Sequence, residues 1–236
     1  SKRGQGTHSI SFVSDEDRIL IEVNVTRACL PLADGPAPPS YELAGPRQRV
    51  FFDPSKLKCA LVMCGGLCPG LNDLIRSIVL ELHYGYGVRN IFGVRFGLRG
   101  FISRYGYDFM DLTPGTVLNI HERGGTVIGS SRGPQDIEQI VDTLERTSIG
   151  VLFMIGGDGT LRAATKVADE ITRRGLKISL VGIPKTIDND VWGTDTTFGF
   201  ESAVEIATEA IDRLHTTANS HQRVMIIEVM GHNAGW

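Results

Sequence analysis

Long apolar runs are missing from this chain: none approaches the roughly 20 residues that a bilayer-spanning helix needs. The start, Ser1-Lys2-Arg3-Gly4, leads into polar residues without a hydrophobic signal region. The reading is a soluble, cytoplasmic protein with no membrane partner. A basic excess is missing too. With 24 Lys+Arg against 27 Asp+Glu, a net charge of −3 and a pI near 6.1, the chain has no stripe for a phosphate backbone, so nucleic acid is not an expected partner. Cysteine is scarce. Cys29, Cys59, Cys64 and Cys68 are spaced too irregularly for a zinc ribbon and read as reduced, mostly buried thiols. Internal repeats, low-complexity tracts and long charge runs are absent as well. What is present is 42% apolar residues and 28 glycines over 236 positions, the profile of an ordinary α/β protein. A chain of this length buries roughly 70% of its surface without staples.

Residues 1–57 read as an N-terminal extension: a polar start, a strand-like run from Ile19 to Val25, then a Pro/Gly-rich stretch from Pro31 to Pro46. Residues 58–236 read as a nucleotide-binding α/β domain. Short apolar runs there alternate with helix-length amphipathic segments, which predicts βαβ units, a doubly wound, mostly parallel sheet and helices on both faces. The expected strands are 59–64, 90–94, 126–128, 151–155, 178–183 and 224–229, and the expected helices are 72–84, 136–146, 161–174 and 199–215. In the last helix Phe200, Ala203, Val204, Ala207, Ala210, Ile211 and Leu214 form one apolar stripe, which predicts a core-facing surface. The sequence stops at Trp236, in a glycine-containing loop just after an expected strand. Such loops are where α/β proteins place ligands, so a fragment is expected.

Four glycine-bearing segments follow expected strands, where such a sheet points its ligand loops to one edge. In Cys64-Gly65-Gly66-Leu67-Cys68-Pro69-Gly70, Gly65 and Gly66 let backbone approach a phosphate ahead of a helix N-terminus. The segment matches neither the P-loop nor the dinucleotide fingerprint. In Gly129-Ser130-Ser131-Arg132-Gly133, Arg132 and Gly133 offer a guanidinium clamp on a short loop, a role for which a solvated surface arginine is the plain competitor. In Gly156-Gly157-Asp158-Gly159-Thr160, Asp158 can cap the following helix or hold Mg²⁺, and the glycines leave room for a ligand close to the backbone. In Pro184-Lys185-Thr186-Ile187-Asp188-Asn189-Asp190, an extended chain would put Asp188 and Asp190 on one face. Lys185, Thr186 and a metal would then stabilise the paired charges, leaving Asp188 to accept a proton from a substrate hydroxyl. A fifth, basic segment, Ser220-His221-Gln222-Arg223, precedes the last expected strand and Met230-Gly231-His232.

Taken in order, Gly-Gly-x-x-Pro-Gly-x-Asn, Ser-Arg-Gly, Gly-Gly-Asp-Gly-Thr, Pro-Lys-Thr-Ile-Asp-Asn-Asp, His-Gln-Arg and Met-Gly resemble the 6-phosphofructokinases over residues 58–236. The similarity is greatest to their plant and trypanosomatid-like ATP-dependent branch. The resemblance implies transfer of a phosphoryl group from ATP to the 1-hydroxyl of fructose 6-phosphate, with Mg²⁺. It implies a donor site at Gly65, Gly66, Arg132, Gly133, Gly157, Asp158, Gly159 and Thr160, with Asp158 as the metal-associated carboxylate. It implies a sugar site at Thr186, Asp188, Arg223, Met230, Gly231 and His232, catalysis by Asp188 with Lys185, Asp190 and Thr186, and a homo-oligomer, a tetramer, in which Arg223 reaches a neighbouring subunit. His232 departs from the family's usual arginine, and the family's second sugar-phosphate half is missing from this chain. Gly159 is typical of ATP users and Lys185 of pyrophosphate users. The alternatives are therefore a pyrophosphate-dependent enzyme and a non-catalytic regulatory subunit of the same fold.

Overall fold

The computed structural model describes residues 11–21 and 38–231. The chain divides into two compact units, one ending at Asp53 and the other beginning at Pro54. In the first, β1 (Arg18–Leu20) pairs antiparallel with β2 (Ser40–Glu42), Ile19 opposite Tyr41. Arg47 ties this unit together, meeting Asp15 at 2.7 Å and Glu42 at 2.9 Å and donating to the Leu43 carbonyl. The expected strand from Ile19 is seen as far as Leu20. Residues 22–25 and Cys29 lie outside the described residues. Ser40–Glu42, inside the Pro/Gly-rich stretch, supplies the partner strand.

The second unit is built on a five-stranded sheet in the order β5-β4-β3-β6-β7. Strands β3 (Lys58–Met63), β4 (Asn90–Val94), β6 (Val151–Gly156) and β7 (Ser179–Pro184) run parallel, and the short β5 (Met110–Asp111) is an antiparallel edge. The helices are α1 (Leu71–Leu80), α2 (Ile137–Thr147), α3 (Asp158–Arg173) and α4 (Phe200–His221). Residue alternation in the central strand explains the layering. Cys59, Leu61 and Met63 pack with Leu71, Ile75 and Val79 of α1, whereas Ala60 and Val62 pack with Ile140 and Leu144 of α2 and Val167 of α3. A strand covered on both faces reads as one continuous apolar run, and this one does. Helix α2 starts where it does because the Asp136 carboxylate accepts from the Glu138 and Gln139 amides and from the Gln139 side chain. The chain order reverses between β3 and β6, and that switch point opens a crevice at the strands' C-terminal ends.

Three expectations are corrected. Residues 126–128 form a turn, because their backbone groups bond elsewhere: Val127 N–H donates to Asn72 Oδ1 at 2.9 Å, and the Ile128 carbonyl accepts from Phe96 N–H at 2.9 Å. Among the described residues, 224–229 have no strand partner, and Val224 and Ile226 are more than nine-tenths exposed. The apolar stripe of α4 is not core: none of the helix's residues is buried, since the described residues do not cover that face.

Cys59, Cys64 and Cys68 are free, buried thiols. Burial pushes Cys59 up to about 12 and Cys64 and Cys68 up to about 11, from an ordinary 9.0. At pH 8 each is then on the order of 0.1% thiolate or less. Iodoacetamide is expected to leave these three unlabelled in the native protein and to label them after denaturation, read by peptide mass spectrometry. Rapid native labelling of any one would contradict its placement. The folded values lie above the unfolded value, so the unfolded chain releases these protons first. The stability they contribute is complete below about pH 9 and is lost as pH climbs toward 11–12.

Candidate functional site

A cleft of about 850 Å³ lies at the switch point, lined by the loops that leave β3, β6 and β7 and by residues 131–135. Backbone contacts join these loops. Cys64 N–H donates to the Ile155 carbonyl at 2.8 Å and Gly65 N–H to the Ser131 carbonyl at 3.0 Å. Ser130 Oγ returns a bond to the Gly65 carbonyl at 2.7 Å. Gly65 has φ +84°, which an L side chain rarely adopts. A Cβ at Gly66 would stand 3.1 Å from Arg132 Nη2, so the guanidinium lies directly over that glycine. The first two glycine loops therefore form one wall.

The third loop turns β6 into α3. Gly157 is the N-cap residue and Asp158 the first helical one, with no side-chain cap. The capping role considered for Asp158 is not realised, because its carboxylate pairs with Arg162 one turn on, at 2.8 Å. Gly157, Gly159 and Thr160 line the cleft; Asp158 sits beside them without lining it. A Cβ at Gly159 would have no atom within 4 Å.

Lys185 is the hub of the fourth loop. It is 4% exposed, its backbone N–H donates to the Gly156 carbonyl at 2.9 Å, and its ammonium donates to the Gly66 carbonyl. One residue thus bonds the loops after β3 and β6. Burial pushes its pKa below the ordinary 10.5; Cys68 opposes that shift, Arg132 adds to it, and Asp188 opposes it more weakly. Beyond it the chain bends. Asn189 adopts φ +52°, Asp188 N–H donates to Thr186 Oγ1 at 3.1 Å, and Thr186 Oγ1 donates to Asp190 Oδ1 at 3.0 Å. The extended geometry expected for this segment is therefore wrong, and the two carboxylates do not share a face. Asp188 and Thr186 line the cleft, whereas Asp190 is exposed and held by Thr186.

Gly133 and Met230 also line the cleft, but Arg223 and Gly231 do not. Arg223 follows the left-handed end of α4 at Gln222 and is exposed. His232 lies outside the described residues. Sequence reading missed Arg162 and Lys166, which line the cleft from α3. Their four-residue spacing from Asp158 was the available signal, since i, i+4 positions share one helix face. The lining carries Arg132, Arg162, Lys166 and Lys185 against the single carboxylate of Asp188. On a chain of net charge −3, this excess of donors beside glycine-lined backbone suits a ligand bearing several phosphate charges.

Among the described residues no helix is long and apolar enough to cross a membrane. Residues 58–236 match the family model described as Phosphofructokinase. The chain is similar to the ATP-dependent 6-phosphofructokinase of Borreliella burgdorferi, 49% identical over 196 residues, which cover 83% of this chain and 44% of that protein. It is similar to ATP-dependent 6-phosphofructokinase 7 of Arabidopsis thaliana, 46% identical over 226 residues, 95% of this chain and 45% of that one. The chain thus spans about half the length of the curated relatives it matches. Among solved structures, phosphofructokinase from Saccharomyces cerevisiae superposes with a TM-score of 0.65 at 32% identity, over 77% of this chain and 27% of that one. The family match takes in the whole five-stranded sheet and every loop that lines the cleft, and on that extent the chain belongs to the phosphofructokinase family.

Proposed function

We propose that the protein transfers the γ-phosphoryl group of ATP to the 1-hydroxyl of fructose 6-phosphate, releasing ADP and fructose 1,6-bisphosphate, the glycolytic reaction of a kinase. The observation that carries this reading is the cleft itself, where four basic side chains and two glycine loops face one carboxylate, Asp188. The ATP phosphates bind along Gly65, Gly66, Arg132, Gly133 and the α3 N-terminus from Gly157 to Thr160. Asp188 takes the proton of the 1-hydroxyl as its oxygen bonds to phosphorus and the bond to the ADP oxygen breaks. Thr186 positions the acceptor. Lys185 neutralises charge that spreads over the transferring group, which is most of what this reaction asks of a protein. Asp190 acts through Thr186, whose hydroxyl it holds.

Asp158 is a hard oxygen donor of the kind Mg²⁺ takes, beside the cleft lining, and it would hold the ion by giving up its pair with Arg162. The described residues hold no group of three or more His, Cys, Asp or Glu able to cage a metal, and Mg²⁺ needs none, since it keeps several waters and binds through one or two carboxylates plus substrate phosphates. When bound it supplies charge neutralisation on the phosphates. Met230, which lines the cleft, contacts the sugar. Arg223, exposed and outside the cleft, serves a second copy in a homo-oligomer, a tetramer, and Gly231, next to Met230 but not lining the cleft, is assigned with His232 to the sugar site. The location is cytoplasmic. Control by allosteric effectors belongs to the same proposal.

Names of the relatives support ATP as donor. Lys185 before Thr186 keeps pyrophosphate as the second reading. Offering each donor separately with fructose 6-phosphate and measuring fructose 1,6-bisphosphate separates them, and turnover with neither would leave a non-catalytic subunit. Gly159→Asp sharpens the test. The position is sterically open, so the added carboxylate acts through charge and bulk near the α-phosphate. We expect kcat/KM for ATP to fall at least about tenfold more than that for pyrophosphate. Equal losses would remove Gly159 from donor choice.

A further inference from the structure

We propose that Thr197 and Asn189 form a latch that aims Asp188 into the cleft, with Thr197 as a positioning residue for the reaction above. The inference rests on the assignment of Asp188 as the proton acceptor. Thr197 is one of the few buried polar side chains among the described residues, 2% exposed, and it does not line the cleft. Its hydroxyl donates to the Thr186 carbonyl at 2.7 Å and stands 3.3 Å from Asn189 Oδ1. Its backbone N–H donates to the same Asn189 oxygen at 2.8 Å. The other end of that amide, Asn189 Nδ2, donates to the Asp195 carbonyl at 3.2 Å.

These bonds bracket Asp188. Thr186 on one side is held by its carbonyl, and Asn189 on the other by both ends of its side chain. Asn189 also sits at φ +52°, a region that asparagine tolerates better than most residues. The left-handed step turns the chain after Asp188, so that Asp188 faces the cleft while Asp190 faces solvent. Hydrogen bonds made within 186–197 thus decide which carboxylate is presented. An acid–base group displaced by about 1 Å can lose roughly a hundredfold in rate without any change in its own chemistry.

The test compares Thr197→Val, which keeps the shape and removes the donor, with Thr197→Ser, which keeps the donor. Asn189→Gly, which tolerates the positive φ and removes the side-chain bonds, is the second variant, and Asp188→Asn is measured beside them. Thr197→Val and Asn189→Gly are expected to lower kcat roughly ten- to a hundredfold. The KM for ATP is expected to stay within about twofold and Thr197→Ser to restore turnover. Melting temperatures identify any variant that has simply lost its fold. Wild-type kcat in Thr197→Val, or an equal loss in Thr197→Ser, would overturn the latch. An inactive Asp188→Asn beside a fully active Thr197→Val sinks the latch alone. A fully active Asp188→Asn, or no turnover in the wild type, sinks the assignment of Asp188 and the latch with it.

Discussion

Asp188→Asn is expected to lower kcat by roughly 10²–10⁴ while the KM for ATP stays near its wild-type value. Asparagine matches the carboxylate in shape, so the bend at residues 186–190 persists. Asp188 N–H still reaches Thr186 Oγ1, and Asn189 keeps its bonds to Thr197 and Asp195. What is lost is the only carboxylate that lines the cleft among the described residues, and with it the proposed place for the proton of the attacking hydroxyl. The basic wall from Arg132 to Lys166 does not change, which is why donor binding should survive. Steady-state kinetics with both substrates varied gives the result, and a wild-type kcat would make Asp188 a turn residue.

Lys185→Met is expected to lower kcat by roughly 10²–10³, the usual cost of deleting one preorganised electrostatic donor. Methionine replaces much of the aliphatic stem in a site only 4% exposed, but it cannot donate to the Gly66 carbonyl. The charge proposed to face the transferring phosphoryl group and the side-chain tie to the Gly66 carbonyl disappear together. Arginine is not a conservative replacement here, because a planar guanidinium cannot reproduce the point charge of an ammonium bonded to the Gly66 carbonyl. Because burial depresses the Lys185 pKa, the wild-type rate should also fall on the alkaline side at a lower pH than an ordinary lysine would give. A Lys185→Met variant that kept its kcat would reduce the residue to a structural tie.

The parallel strands and all four α-helices could be read from residue order because their periodicity is local. Val151–Gly156 is apolar throughout, and Ile140, Val141 and Leu144 recur on the buried face of α2. The failures share a physical cause. Residues 224–229 have strand composition, but a strand needs a neighbour, and composition cannot say whether one is present. The stripe of α4 marks an apolar face without marking what covers it. Within the site, residue types and loop positions were legible, and Gly65, Arg132, Lys185 and Asp188 do converge. The separation of Asp188 from Asp190 was not, because it depends on the left-handed step at Asn189 and on a bond from Thr197, eight residues further along. Lys166 escaped notice because a lysine on an amphipathic helix normally reads as solvated surface.

The strand order of the sheet also bears on how the chain is made. Strand β3 pairs on one side with β4, but its other neighbour is β6, with Cys59 opposite Val151. A ribosome adding about 5–20 residues each second needs roughly 5–20 s to cover that interval. Until then that edge of β3 lacks its native partner strand. The arrival of residues 151–156 supplies the partner for that edge, and the cleft needs a further stretch of chain, through β7, before Lys185 and Asp188 can join it.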